Sequence, residues 1–400
     1  MKVKRFLMAS VAAVLLAGPA WAVDVKLGVL NDRSGIYADI AGEGSVIAAR
    51  MAAEDYKASE KGINVEIVSA DHQNKPDVGS SIARKWYDTE GVDVILDVPT
   101  SSVALAINEI TREKNKIFLA SGPATSELTG KACSPNTIHW TYDTWALANG
   151  TGKAMVEQGG KTWFFVTADY AFGHQLEEDT SAVVKKAGGQ VLGAVRHPFP
   201  GQDFSSFLLQ AQSSGAQVIG LANAGGDTIN SIKQAAEFGI TQGGQALAAL
   251  LFFITDVHAL GLQTAQGLVL TSPFYWDLND GTREWSARFQ KLNDGQKPTM
   301  VEAGVYSSVL HYLKAVDALD SKDSAKVMEW MKANPADDPL FGKGEIRADG
   351  RKIHPMYLFR VKKPDQSKGE WDYYEKLQEI PADQAFRPMA EGGCPLVKAE

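Results

Sequence analysis

The 400-residue chain carries 48 acidic against 40 basic side chains, a formal charge of −8, with 44% hydrophobic residues. Such a chain lacks the basic face that nucleic acid or an anionic membrane surface needs, so neither is expected as a partner. At this length one hydrophobic core usually divides, and two domains are expected.

The chain opens with Lys2, Lys4 and Arg5, an apolar run from Phe6 to Ala17, and then Ala20-Trp21-Ala22. A basic start, a short apolar segment and an A-x-A ending describe a secretory signal peptide over residues 1–22, cleaved before Val23. The apolar run is shorter than the roughly 20 residues a membrane span needs. The mature chain is therefore expected in the periplasm, without membrane insertion, at a charge of −11 once the three basic residues are gone. Its two cysteines, Cys133 and Cys394, have no CxxC and no histidine cluster beside them. In an exported protein an isolated pair reads as one disulfide, with two buried thiols as the alternative.

In chain order, Val25–Leu30 reads as a strand, followed by the loop Asn31-Asp32-Arg33-Ser34-Gly35. A helix is predicted over Gly42–Tyr56, a strand over Val65–Ser69, and a helix over Pro76–Glu90, whose Pro-Asp opening suits a helix start. Val92–Val98 and Ile117–Ala120 are apolar without alternation, as strands buried on both faces are. Val103, Ala106, Ile107 and Ile110 share one helical face between them. Strand, helix and strand make a parallel unit with a right-handed crossover. Each strand ends in small hydroxyl and glycine residues, Pro99-Thr100-Ser101-Ser102 and Ser121-Gly122-Pro123-Ala124-Thr125-Ser126. Ligands of such sheets bind outside the carboxyl ends of the strands. Hydroxyls and free N–H groups at a helix start can hold a carboxylate there without a cationic side chain.

The second half repeats the alternation. Strands are predicted over Trp163–Ala168, Gln190–Val195, Gln217–Ala222, Leu247–Ile254 and Gly267–Leu270, with helices to Ala187, over Ser205–Ser213 and over Thr228–Phe238. Helices over Glu284–Leu292, Glu302–Leu319 and Ala325–Ala333 follow, then strands over Gly342–Arg347 and Pro355–Val361, and a charged, proline-containing tail. The fold class is α/β, two lobes each with a mostly parallel sheet flanked by helices.

Catalytic signatures do not assemble. Gly159-Gly160-Lys161-Thr162 resembles the end of a phosphate loop, but Met155 stands where its first glycine belongs and a strand follows. There is no G-x-S-x-G elbow, H-E-x-x-H, or G-x-G-x-x-G after the first strand. Hydroxyls without a base are ligand donors, so no catalytic residue and no enzyme is expected. His139 has no partner at metal-ligand spacing and reads as structural; no metal and no cofactor is expected.

The segments LGVLNDRSGIYADIAGEG, DVPTSS, LASGPATSELTG, HWTYDTWALANG, VTADYAFGHQLEED and VIGLANAGGD, in this order and spacing, resemble the periplasmic leucine/isoleucine/valine-binding family of ABC-importer receptors. The resemblance covers nearly all the mature chain. It implies a two-lobe periplasmic-binding-protein type I fold with a three-crossover hinge. The first lobe would be 23–141 plus 272–348, and the second 142–271 plus 349–400. It further implies that Ser101, Ser102, Ala124 and Thr125 bind a ligand carboxylate. From the second lobe Tyr170, Phe172, Asn223, Gly225, Asp227 and Thr255 would close over it, with Tyr275 near the hinge. Trp140, Tyr142, Trp145 and Trp276 add to the aromatics expected around the cleft. Amino-acid receptors of the family offer an acidic residue to the ligand amine. Here the matching region, FFITDVHALG, is bulkier and less clearly acidic, and HWTYDTWALANGTG looks like the subset that takes aromatic carboxylates. The expected partners are such a small carboxylate and a membrane permease, with the receptor a monomer. A branched-chain amino acid or amide is the alternative ligand, and a ligand-sensing module or a secreted hydrolase the less favoured function.

Overall fold

The computed structural model describes residues 22–397, so the expected signal peptide lies outside the described residues apart from Ala22. Strands β1 (Val23–Asn31), β2 (Ile63–Asp71), β3 (Val94–Asp97), β4 (Ile117–Ala120) and β5 (Thr137–His139) form one sheet in the order β2-β1-β3-β4-β5. All its pairs are parallel. A second parallel sheet has the order β7-β6-β8-β9, from β6 (Thr162–Ala168), β7 (Gln190–His197), β8 (Val218–Ala222) and β9 (Ala246–Ala249). Strand order reverses once in each sheet, between β1 and β3 and between β6 and β8. At such a reversal adjacent loops leave in opposite directions and open a crevice at the carboxyl ends.

The apolar runs become strands for the reason anticipated: every residue of β3 and β4 is buried. The helix Ser101–Glu113 covers them with Val103, Ala104, Ile107 and Ile110. The helix Met300–Leu319 is buried at every position from Met300 to Leu313, as a central core helix must be. It starts at a capping box in which Val301 N–H donates to Thr299 Oγ1 (3.2 Å) and Thr299 N–H to Glu302 Oε2 (2.7 Å). It lies against the helix Gly42–Asp55, whose small buried Ala48, Ala49 and Ala52 let the two backbones approach.

Four segments differ from their sequence reading. Short β5 lies where no strand is predicted, just before the aromatics Trp140, Tyr142 and Trp145. The predicted strand Leu247–Ile254 pairs only through Ala249, because Asp256 Oδ2 accepts from Phe253 N–H (2.9 Å) and starts the helix Ile254–Leu260. Of Gly342–Arg347, only β12 (Gly342–Gly344) is strand, paired antiparallel with β11 (Ala336–Asp338). The tail contributes β14 (Tyr374–Ile380), which joins β10 (Val269–Ser272) and β13 (Met356–Val361) in an antiparallel sheet. Its half-exposed edge position leaves little apolar periodicity to read.

The chain end returns to the first sheet. Cys394 is bonded to Cys133, with Cα atoms 5.6 Å apart. Arg387 Nη2 donates to Ser126 O (3.0 Å), and Arg351 bridges His139 at the end of β5. These contacts set residues 349–352 and the last part of the tail beside the first sheet, whereas the sequence division puts all residues beyond 348 in the second lobe. Among the described residues no helix is long and apolar enough to cross a membrane.

Candidate functional site

The loop after β1 is folded by one carboxylate. Asp32 Oδ1 accepts from Gly35 N–H (2.7 Å) and Ser34 N–H (3.3 Å), and Oδ2 from Tyr37 N–H (2.9 Å) and Asn74 Nδ2 (2.6 Å). This local side-chain-to-backbone turn fixes where Tyr37 stands. At the end of β3, Asp97 and Val98 have φ of 75° and 57°. A β-branched residue in that region costs about 1–3 kcal/mol, the kind of strain that collects at binding sites. The kink feeds the chain into Ser101, the first residue of its helix, where N–H groups lack intrahelical partners. Ser101 Oγ accepts from Thr125 N–H (3.3 Å), and Thr125 Oγ1 from Glu127 N–H (3.3 Å). The two predicted hydroxyl loops therefore meet.

Across from them, Tyr170 precedes the helix Ala171–Lys186 and stacks on Phe199 with ring centroids 4.0 Å apart. Its hydroxyl is 2.6 Å from the Tyr37 hydroxyl, one lobe to the other. Gly226 N–H reaches Ile36 O (3.5 Å) over the same gap. Tyr37, Ile40, Pro99, Gly122 and Ala124 from one side, Tyr142 from the crossover, and Tyr170, Phe172, Ala224 and Leu251 from the other side line a single crevice of about 10 Å³. That volume is near the space of one water, so the lobes stand closed. Among the described residues no charged side chain lines it. Tyr37 lines the crevice and is not among the residues the sequence points to.

The other predicted residues fall at varied distances. Ser102 is half-buried one residue along the helix. Asn223 lies below the crevice with its amide spent: Nδ2 on His197 Nε2 (3.2 Å) and Ser231 Oγ (3.1 Å), Oδ1 accepting from Thr228 Oγ1 (2.7 Å). Gly225 faces the first lobe at φ 56°, where a Cβ would stand 2.6 Å from Ile36 O. Thr255 is buried in the first turn of its helix and does not line the crevice. Tyr275 is turned away into the antiparallel sheet, its hydroxyl donating to Trp371 O (3.2 Å) and accepting from Tyr373 N–H (3.2 Å). Trp140 is core, donating to Ser307 Oγ (2.8 Å), and Trp276 Nε1 donates to Trp371 O (2.7 Å). Trp145 borders a larger cavity of about 490 Å³ with Lys153 and Phe386. Neither set of strand-end loops reaches that cavity, so size is here a poorer guide than position.

His139 is buried, its Nε2 2.7 Å from Pro123 O, and burial holds it neutral with a pKa well below the usual range. Asp227 is also buried, with Oδ1 accepting from Gly201 N–H (2.9 Å) and Oδ2 without a hydrogen-bond partner among the described residues. Burial pushes its carboxyl up to about 7, partly offset by the Gly201 bond. A carboxyl raised in the folded state makes the protein lose stability as pH climbs from about 4 to about 7. Asp227→Asn keeps the Gly201 acceptor and removes that slope. The variant is expected to be more stable than wild type at pH 8 by on the order of 3 kcal/mol, with the difference vanishing near pH 4, read by denaturant titration at both pH values. Equal differences at both would contradict it.

Two α/β lobes closing a crevice between their strand ends define a two-lobed ligand-binding protein. The chain belongs to the periplasmic binding protein family, whose model matches residues 24–370. It is 52% identical to a periplasmic binding protein from Burkholderia mallei of known structure, with a TM-score of 0.91 over 94% of this chain and 99% of that one. A branched chain amino acid ABC transporter periplasmic ligand-binding protein from Burkholderia xenovorans is 42% identical, with a TM-score of 0.83 over 93% and 99%. A Leu/Ile/Val-binding protein homolog from Brucella melitensis is 28% identical over 95% of this chain and 96% of its own. An R. palustris solute binding protein solved with benzoate shares the fold at 21% identity, with a TM-score of 0.80 over 90% and 97%.

Proposed function

We propose that this protein is exported to the periplasm and captures a small organic carboxylate, by preference an aromatic acid, for delivery to the permease of an ABC importer. The observation that carries the ligand class is the uncharged, ring-lined crevice reached by Ala124, next in the chain to Thr125, whose N–H meets Ser101 Oγ. The carboxylate would dock on Ser101, Ser102 and the Ala124–Thr125 amides, and Tyr170 and Phe172 would cover the ring. Gly225 would supply close approach, and Thr255, Asn223 and Tyr275 support from behind. Burying a ring of about 150 Å² at about 25 cal/mol per Å² contributes near 4 kcal/mol before the cost of closure. Charge-assisted hydrogen bonds at about 1.5–3 kcal/mol each bring micromolar binding within reach. The first lobe is taken as 23–141 plus 272–352 with the tail end, the second as 142–271 plus the β13–β14 hairpin. The protein acts as a monomer that captures and releases its ligand without turnover.

The partnerless Asp227 Oδ2 favours one second reading, a branched-chain amino acid whose ammonium would meet that oxygen. A thermal-shift comparison separates the two. Benzoate and cinnamate are expected to raise the melting temperature and leucine to leave it unchanged. The reverse pattern, lost again in Asp227→Asn, would overturn the aromatic assignment.

A further inference from the structure

The loop that offers the Ala124 and Thr125 amides is held from outside its own lobe. Thr144, in the crossover after β5, donates its N–H to Ala124 O (2.7 Å), and its Oγ1 accepts from Ser126 N–H (3.1 Å). The proton of that hydroxyl goes to Asp179 Oδ2 (2.6 Å), in the middle of the second-lobe helix Ala171–Lys186. Ser126 Oγ donates to the same oxygen (2.9 Å), and Gln175 Nε2 to Oδ1 (3.2 Å). An ionised carboxylate only accepts, so every donor in this set has one possible direction. Asp179 is 7% exposed, and nothing in the capture mechanism above uses it.

The same helix is preceded by Tyr170 and carries Phe172 in its first turn, and both line the crevice. Asp179 thus joins the element that closes over the ligand to the loop that would hold its carboxylate. The joint is made of hydroxyl-to-carboxylate bonds, which are short, directional and about twice the strength of neutral ones. Parting of the lobes would separate Ser126 Oγ from Asp179 Oδ2, leaving the 124–126 loop held by Thr144, by Arg387 Nη2 on Ser126 O and by Ser101 Oγ on Thr125 N–H.

We infer that Asp179 is a positioning residue for ligand capture: it touches no ligand, and by binding Ser126 and Thr144 on closure it sets the 124–126 loop in its carboxylate-receiving geometry. The inference deepens the capture reading above and rests on it. Closure and the binding-competent loop then form one two-state element, so weakening the joint lowers the fraction of protein ready to hold an acid.

The test measures affinity by calorimetric titration with benzoate and with leucine, and the ligand-free radius of gyration by small-angle scattering. For whichever probe wild type binds, Asp179→Ala is expected to bind about tenfold more weakly or worse, and Asp179→Asn, which keeps an acceptor oxygen, to recover to within about threefold. Ser126→Ala is expected to lose a similar factor. The double variant Asp179→Ala/Ser126→Ala should be no weaker than the weaker single one, because the two share one interaction. Without ligand, Asp179→Ala is expected to be larger than wild type by scattering. Additive losses, or no recovery in Asp179→Asn, would reduce Asp179 to a general structural residue and overturn the inference. Should wild type bind neither probe, the ligand reading fails, and scattering decides this inference alone. A radius unchanged in Asp179→Ala overturns it.

Discussion

Replacing Gly225 with valine is expected to weaken ligand binding on the order of 100-fold while costing the ligand-free protein about 1–3 kcal/mol of stability. The two numbers differ because they arise in different states. Gly225 has φ 56° and ψ −131°, a backbone that side chains resist whether the lobes are open or closed. Only in the closed form would a Cβ also stand 2.6 Å from Ile36 O and 3.0 Å from Tyr37 Cδ1. Neither of those atoms belongs to a flexible chain end, so the closed form bears the clash and the open form escapes it. A ligand acts only through contacts made on closure, and its affinity falls with the closed population. Gly226→Ala is the control. Its Cβ would meet Ile36 side-chain atoms at 3.4 Å, an ordinary contact at ordinary φ, and binding should stay near wild type. Titration of Gly225→Val and Gly226→Ala with the bound acid checks this, and equal affinities would mean that the lobes do not close along this seam.

The largest loss of stability is expected at Arg351. Its fully buried guanidinium braces two crossovers: Nη1 donates to Tyr142 O (3.0 Å) and pairs with Asp143 Oδ2 (3.4 Å), and Nε donates to Lys352 O (3.0 Å). The Phe386 ring covers the cation at 4.5 Å. Burial pulls its pKa down to about 10, with Asp143 opposing, so the group stays charged at neutral pH. Arg351→Ala leaves the buried Asp143 carboxylate without its cation and two carbonyls without donors. Breaking a buried pair from one side costs about 3–5 kcal/mol, because the remaining charge is stranded. Arg351→Lys recovers only part of this, since an ammonium cannot span the same acceptors as a planar fork. Denaturant titration at pH 7 reads both variants. A loss under about 1 kcal/mol in Arg351→Ala would show that the crossovers do not depend on the brace.

Much of the lobes was readable because their strands are continuous apolar runs closed by glycine and hydroxyl residues, a pattern that both marks a buried parallel strand and places its loop at the carboxyl edge. Ser101, Ala124, Thr125, Tyr170 and Phe172 are expected at the cleft for that reason, and of these Ala124, Tyr170 and Phe172 line the crevice. Tyr275 also follows a predicted strand, but that strand belongs to an antiparallel sheet, and its end does not face the crevice. Trp140 and Trp145 follow from composition only as aromatics near a crossover, and packing divides them between the core and the outer face. Tyr37 sits in a glycine-rich segment that reads as plain loop. Its placement comes from Asp32 collecting four donors, which only folding brings together. A lone aromatic three to five residues past an Asp at the end of the first strand was the available signal. Asp179 looks solvent-facing beside Glu177 and Glu178 until the first lobe covers it. Side chains whose partners come from the other lobe have no local periodicity to betray them.

The structure of the protein crystallised with benzoate tests the capture of an acid between the lobes most directly. The carboxylate is expected within hydrogen-bonding distance of Ser101 and Thr125, with the ring against Tyr170 and Phe172. Benzoate seated only in the outer cavity beside Trp145, or absent from the crevice at saturating concentration, would contradict it.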